Sequence, residues 1–342
     1  MTSTLVPPSG GADHPFAPFV RALGKGPNLS RPLTEAEAEQ AFTMILDGQV
    51  DPVQLGAFLC LLRVKTETPA ELAGMIRGIR SRLVNLPSPR PVVDLDWASW
   101  AGKARQEPWY VLAALLLAAN GVRVFMHGAE GHTAGRTYTS QALAALGVPV
   151  SRTLGHVCAD LAARNFAYAP LPVIDSRLDA LMALRSLLGV RSPLHTAGRA
   201  LNIFSAPHQL LSVSHPPYLP VHRETARLLG QPSLAVFKGE GGEAERRPTK
   251  PCVVHGLENG REIETEWPVL LPGVVQAKEE SLDLTRLPAL WSGGWENDYA
   301  QLSVTGTVAI VIKLIGRAET VAAAQDMADL WWKNRDKSLY KG

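Results

Sequence analysis

The chain has 342 residues, 46% of them hydrophobic, and a formal net charge of +2. It is long enough to bury a sizeable core in one or two domains, and its composition excludes a chain too polar to fold. Its longest apolar run, Val111 to Ala119, is too short to span a bilayer, so a soluble, membrane-free protein is expected.

Charge is unevenly spread. From Trp97 to Lys250 there are 16 Lys and Arg against 9 Asp and Glu, a net +7, together with seven of the nine histidines. From Pro251 to Ala300 the counts are 3 and 9, a net −6. Such asymmetry fits either an anion-seeking face or an ordinary solvated surface. Cys60, Cys158 and Cys252 are far apart and form no CxxC, which fits a reducing, cytoplasmic setting and leaves no sequence-local zinc or redox pair. The opening MTSTLVPPSGGADHP lacks the basic and apolar regions of a signal peptide, and residues 1–13 read as a disordered arm.

Three amphipathic helices follow. Thr34-Glu35-Ala36-Glu37 is a capping box; Ala38, Ala41, Phe42, Ile45 and Leu46 then share a face, and Gly48 ends the helix. Asp51-Pro52-Val53-Gln54 opens the second helix, with Leu55, Phe58, Leu59 and Leu62 as its stripe. Thr68-Pro69-Ala70-Glu71 opens the third, with Leu72, Met75, Ile76, Ile79 and Leu83 inward. None can bury its face alone, so they pack on one another or on a second subunit. Pro87-Ser88-Pro89 marks a boundary, giving a helical domain over residues 14–88, joined by helices near 171–196, and an α/β domain over 89–342.

Further on, Val124-Phe125-Met126 reads as the end of a strand, followed by Gly128, Gly131 and Gly135 and then a helix from about Thr139. A strand, a glycine-rich turn and a helix N-terminus make a concavity of N–H groups that favours anions, although the glycines also suit an ordinary βα loop. A helix is expected near Asp175, strands at Cys252–His255 and Glu262–Thr265, a turn over Pro268–Gly273, a buried helix over Val304–Leu314, and a last helix from Ala318 through Trp332.

The segment LTEAEAEQAFTMILDGQVDPVQLGAFLCLLRVKTETPAELAGM closely resembles the N-terminal helical domain of anthranilate phosphoribosyltransferase and, more broadly, of glycosyltransferase family 3. The resemblance implies a small all-helical domain on a larger α/β domain with a central mixed sheet, and a homodimer joined through the N-terminal helices. It also implies a GTGGDG turn that cradles the pyrophosphate of phosphoribosyl pyrophosphate, because glycines let backbone amides approach phosphates closely. Here that stretch reads Asp96-Trp97-Ala98-Ser99-Trp100-Ala101-Gly102-Lys103, with two tryptophans and one glycine, followed by Arg105.

The other motifs are altered too. The family's KHGNR becomes Met126-His127-Gly128-Ala129-Glu130, with Thr133 and Arg136 following. The magnesium-binding acid pair becomes Ala244-Glu245, at the end of Val236-Phe237-Lys238-Gly239-Glu240-Gly241-Gly242-Glu243-Ala244-Glu245; Glu240, Glu243 and Glu245 suit a hard cation or a polar loop. In the segment Arg185-Ser186-Leu187-Leu188-Gly189-Val190-Arg191, continuing to Asn202, Arg185, Gly189, Arg191, Gly198 and Asn202 keep the family's pattern, Arg199 replaces its proline, and Arg185 matches its substrate-contacting arginine.

The whole pattern resembles the YbiB-type subfamily, carried by WASWAGKARQEPWYVLAALLLAANGVRVFMHG, whose members bind nucleic acid without evident transferase activity. The leading expectation is therefore sequence-independent DNA or RNA binding with no catalytic residue, no cofactor and no metal. Its contacts would be Lys103, Arg105, Arg136, Arg177, Arg185, Arg191, Arg199, Arg246 and Arg247, around a degenerate cleft of Gly102, His127, Gly128, Thr133 and Arg185. Arg177 and Arg185 are spaced to share a helix face, and Trp97 and Trp100 either stack on bases or fill the core. The alternative is a phosphoribosyltransferase with an altered donor site, using magnesium and phosphoribosyl pyrophosphate. A third reading is a regulatory protein holding a small phosphorylated ligand in the old cleft.

Overall fold

The computed structural model describes residues 13–275 and 281–340. Apart from Asp13, the arm expected at 1–13 lies outside the described residues. The chain begins with α1 (Ala17–Gly24), α2 (Glu35–Leu46), α3 (Pro52–Lys65) and α4 (Pro69–Arg82). Both capping boxes form: Thr34 and Glu37 bond reciprocally at the start of α2, as do Thr68 and Glu71 at α4. Glu71 also accepts from Leu33 N at 2.9 Å and Lys65 Nζ at 2.8 Å, so one buried carboxylate ties three elements together. Gly74 and Gly78 let α4 lie against the α2 backbone; a Cβ at Gly74 would stand 2.1 Å from Glu35 O.

Next come β1 (Leu95–Ala98), α5 (Trp109–Ala119), β2 (Val124–Gly128), α6 (Thr139–Ala145), α7 (Leu154–Arg164) and β3 (Phe166–Pro170). Short helical turns follow: α8 (Leu171–Ile174), α9 (Ser176–Ala183), α10 (Arg185–Leu188) and α11 (Leu194–Ala197). The chain then runs through β4 (His208–Val213), α12 (Tyr218–Leu228), β5 (Ser233–Lys238), β6 (Cys252–Glu258) and β7 (Arg261–Trp267). It closes with α13 (Arg286–Ser292), α14 (Asp298–Leu314) and α15 (Val321–Lys333).

One seven-stranded sheet has the order β3-β2-β1-β4-β5-β6-β7, parallel through β5 and antiparallel at β6 and β7. Alternate residues feed two cores. Leu95, Trp97, Val124 and Met126 point to the side covered by α5, α14 and α15. Ala98 and Phe125 point to the side shared with Phe42, Phe58 and Ile79 of the helical layer. Leu171, Ile174, Leu178 and Met182 pack into that second core as well. The fold is thus a small helical unit on an α/β unit with a mixed sheet.

The expected helix at Asp175 is broken. Asp175 caps α9 through Arg177 N, but α9 stops at Ala183 and Arg185 starts a separate turn. Arg177 and Arg185 therefore share no helix face. Among the described residues, no helix is long and apolar enough to cross a membrane.

Candidate functional site

The register Ala98 to His127 sets the turn after β1 beside the end of β2, at the carboxyl edge of the parallel strands. Gly128 is required there, because a Cβ would lie 1.7 Å from Ser99 O. In open α/β sheets this edge is where ligands bind. The anion-favouring groups of this edge are nevertheless already paired with carboxylates of the chain. Glu243 Oε1 accepts from Ala101 N and Gly102 N, each at 2.6 Å. Glu245 accepts from Lys103 Nζ at 2.6 Å and from Tyr110 N, in the first turn of α5, at 2.9 Å. Glu130 accepts from Ser140 N, in the first turn of α6, at 2.9 Å and from Tyr168 Oη at 2.6 Å. Burial pushes Glu245 up to about 7 against the opposing pull of Lys103, and burial raises Glu243 likewise.

His127 is a core residue. It is fully buried, stacked on Phe125 at 5.7 Å and 3.4 Å from Asp96, which also accepts from Gln209. Trp97 and Trp100 are buried as well, which removes both from base stacking. The Trp100 ring lies against Gly198, where a Cβ would come within 2.1 Å of it. Gly198→Ala is expected to lower stability by about 1–3 kcal/mol or more through overpacking, read as a fall in melting temperature.

What remains open beside this edge is a cleft around His132 and Arg185, whose lining also carries Glu130 and Asp179. Arg185 donates to His132 O at 2.6 Å and to Thr133 Oγ1 at 3.3 Å. His132 Nε2 lies 2.9 Å from Trp100 O, which can only accept, so Nε2 carries the proton and Nδ1 accepts from Thr133 Oγ1 at 2.9 Å. The His132 and His195 rings meet edge to face at 5.4 Å. Burial lowers the pKa of His132, and Arg191, Arg185 and Arg136 lower it further. His195 is lowered to about 3 by burial and then by His132, Arg191 and Arg185 beside it. His222, on α12, is lowered to about 3 by burial. Its folded pKa lies below its unfolded value near 6.5, so its contribution to stability is complete above about 6.5 and is lost as pH falls toward 3. Urea midpoints are expected to fall between pH 7 and 5, with a shallower fall in His222→Gln.

The basic residues do not form one strip. Lys103 is buried on Glu245. Arg177 grips Asp175 and donates to Leu46 O and Arg82 O, fastening α9 to the helical layer. Arg246 is buried over the Trp267 ring at 5.2 Å and bonds to Pro268 O, with its pKa lowered to about 10 by burial. Arg247 pairs with Glu240. Arg136 donates to Ala101 O and Gly102 O, and Arg199 donates to Ser212 O and Gly242 O. Arg105 is exposed, beside Lys103 in sequence but not in the cleft. Of the predicted residues, Thr133, Arg136, Arg185 and Arg191 surround His132, and Gly102 is sealed beneath Glu243. Sequence reasoning missed Arg63, Ser192, His195 and Tyr218, which line the adjoining cavity with Arg191 and meet this cleft through the His132–His195 contact; Arg63 lies within the family-like helical segment.

Residues 17–83 match the helical bundle domain of the glycosyl transferase family. Over 243 residues the chain is 32% identical to the anthranilate phosphoribosyltransferase of Methylocella silvestris, covering 71% of this chain and 68% of that protein. This chain belongs to glycosyltransferase family 3, in its anthranilate phosphoribosyltransferase-like branch. The Agrobacterium fabrum anthranilate phosphoribosyltransferase is 27% identical over 323 residues, covering 91% of this chain and 90% of that protein. In fold, the family member from Thermus thermophilus matches with a TM-score of 0.71 at 24% identity, over 92% of this chain and 97% of its own. The Saccharomyces cerevisiae anthranilate phosphoribosyltransferase in complex with PRPP and Mg matches with a TM-score of 0.73 at 16% identity, over 93% of each chain.

These relatives overturn the expectation of a non-enzymatic nucleic-acid-binding protein, since they carry the name of a phosphoribosyltransferase across most of this chain. The dispersal of the basic residues gives the physical reason: Lys103 and Arg246 are buried, and Arg136, Arg177, Arg199 and Arg247 are engaged by carbonyls or carboxylates of the chain itself. The expectation of no cofactor is not supported either, since a family structure holds PRPP and Mg. In this chain the family's metal acids do not fit a metal as placed. Glu243 and Glu245 face inward onto N–H groups and Lys103, and Glu240 is held by Arg247. Among the described residues, no group of three or more His, Cys, Asp or Glu is arranged to hold an ion.

Proposed function

We propose that this protein is a phosphoribosyltransferase of the anthranilate type with an altered donor site. The observation that carries the reading, beside family membership, is the convergence of Arg185, Arg191 and Arg136 on the neutral His132. Arg185 and Arg191 have no carboxylate partner among the described ion pairs, and unpaired guanidinium groups in a cleft call for an anionic ligand. In the reaction, a bond forms between C1 of the ribose and the acceptor nitrogen while the bond from C1 to the diphosphate oxygen breaks; the diphosphate leaves and the nitrogen gives up one proton to the departing diphosphate or to water. Arg185, held by the His132 carbonyl and Thr133, suits the acceptor's carboxylate. The proton of His132 is committed to Trp100 O, so His132 orients Arg185 and is not a general acid.

The test is loss of anthranilate fluorescence on incubation with PRPP and Mg, with Arg185→Ala as the comparison. Turnover that falls at least tenfold in Arg185→Ala supports the reading. No turnover, together with no rise in melting temperature at millimolar PRPP, overturns it.

A homodimer through the helical layer is proposed with it. Val53 and Val64 on α3 and Leu187 on α10 are 59%, 84% and 80% exposed, and Leu188 packs on Gly56 of α3, so these side chains lie on neighbouring elements. Light scattering is expected to give twice the chain mass in wild type and a monomer in Val64→Glu/Leu187→Glu.

A further inference from the structure

A second feature of the cleft stands apart from the turn after β1. A cavity of about 110 Å³ lies between α3, the segment 191–199, the end of β4 and the start of α12. Its cationic lining is Arg63, Arg191 and Arg199, and its neutral polar groups include Ser192, His195 and His222. None of the lining residues is acidic. Two carboxyls lie outside the lining: Glu67 accepts the Tyr218 hydroxyl at 3.2 Å, with burial raising its pKa toward the neutral form, and Glu243 faces Arg199.

Three polar atoms of this lining have no hydrogen-bond partner: Ser192 Oγ, His195 Nε2 and His222 Nδ1. Ser192 and His222 are 4% and 2% exposed, so bulk water does not serve them. A buried polar atom without a partner costs about 1–3 kcal/mol, and three around one cavity call for a ligand that meets them together. Arg191 makes no hydrogen bond or ion pair to any described residue, whereas Arg63 reaches Tyr218 Oη only at 3.5 Å. Two guanidinium groups, the Ser192 hydroxyl and an Nδ1–H on His222 exceed what a carboxylate can satisfy and suit a tetrahedral oxyanion; His195, whose Nδ1 proton faces Ser192 O at 3.2 Å, presents an acceptor at Nε2 that suits the hydroxyl of a singly protonated phosphate. At about 30 Å³ per water, the cavity holds three to four waters, the room a phosphoryl group needs.

We infer that this pocket is a phosphate-binding site, taking inorganic phosphate or the phosphoryl end of a phosphomonoester between Arg63, Arg191 and Ser192. It shares Arg191 with the transferase reading but does not require transfer, because it rests on the cavity's own lining. It also accounts for where a phosphoryl group goes in a chain whose turn at 99–103 is filled by Glu243.

The experiment is isothermal titration of the full-length protein with inorganic phosphate and with ribose 5-phosphate, without metal or a second substrate. Saturable binding is expected, weakened at least tenfold in Arg191→Ala and in Arg63→Ala. Arg317→Ala controls for net charge, since Arg317 bonds to Asn120 O at the opposite edge of the sheet. Tighter binding of ribose 5-phosphate assigns the site to a sugar phosphate, and equal binding assigns it to the free ion; both uphold the inference. No saturable binding of either, or binding indifferent to both arginine replacements, overturns it. The transfer assay is unaffected by that outcome, so the two readings fail separately.

Discussion

Replacing Glu245 with alanine is expected to cost about 3–5 kcal/mol of folding stability, read as a large drop in the urea midpoint. The carboxylate is fully buried and is the counter-ion of Lys103, which is 2% exposed. Removing it strands an ammonium in the interior and orphans Tyr110 N at the start of α5. The pair itself contributes little net stability, because burial penalises both charges; burial's push of Glu245 up to about 7 shows that penalty. Lys103→Met/Glu245→Leu is therefore expected to recover most of the loss, leaving about 1 kcal/mol for the unpaired Tyr110 amide. A single Glu245→Ala change costing under about 1 kcal/mol would show that Lys103 finds another partner or reaches water.

Glu243→Ala is expected to create affinity. In the native chain Glu243 Oε1 lies 2.6 Å from two successive backbone N–H groups, the place an anionic ligand would take. Truncation leaves both donors unpaired, at about 1–3 kcal/mol each, and opens the space the side chain filled. An added anion regains those bonds. Inorganic pyrophosphate is expected to bind the variant about tenfold more tightly than wild type, which corresponds to about 1.4 kcal/mol. The variant should also be less stable without ligand and recover part of that loss in pyrophosphate. Unchanged pyrophosphate affinity in a folded variant would mean that the turn is not a masked anion site. The altered donor site then has a physical description: a phosphate cradle converted to an internal carboxylate clasp.

The two predictions share a cause that local sequence does not carry. Glu243 and Glu245 stand some 140 positions from the groups they serve. No window of the sequence joins them, and the motif comparison registered only that acids had moved. The same holds for Arg246, which counts as a surface charge in composition and lies buried under Trp267. Strands β1, β3, β4 and β5 were equally hard to read, because a strand buried on both faces has no polar alternation to mark it.

What the sequence determined by itself is everything settled within a turn or two of chain. The reciprocal caps at Thr34 with Glu37 and Thr68 with Glu71 and the Asp51 cap all close over two or three residues, and each forms as written. So do the amphipathic faces of α2 to α4, which carry the family likeness. Only the tertiary structure decided which charges face a ligand and which face each other. Lys103, Arg199 and Arg246 were drawn inward because burying a charge is tolerable only beside a matched acceptor, and those acceptors come from other elements of the fold. Arg63 and Arg191 were left in the cleft without such a partner, and that difference marks the site.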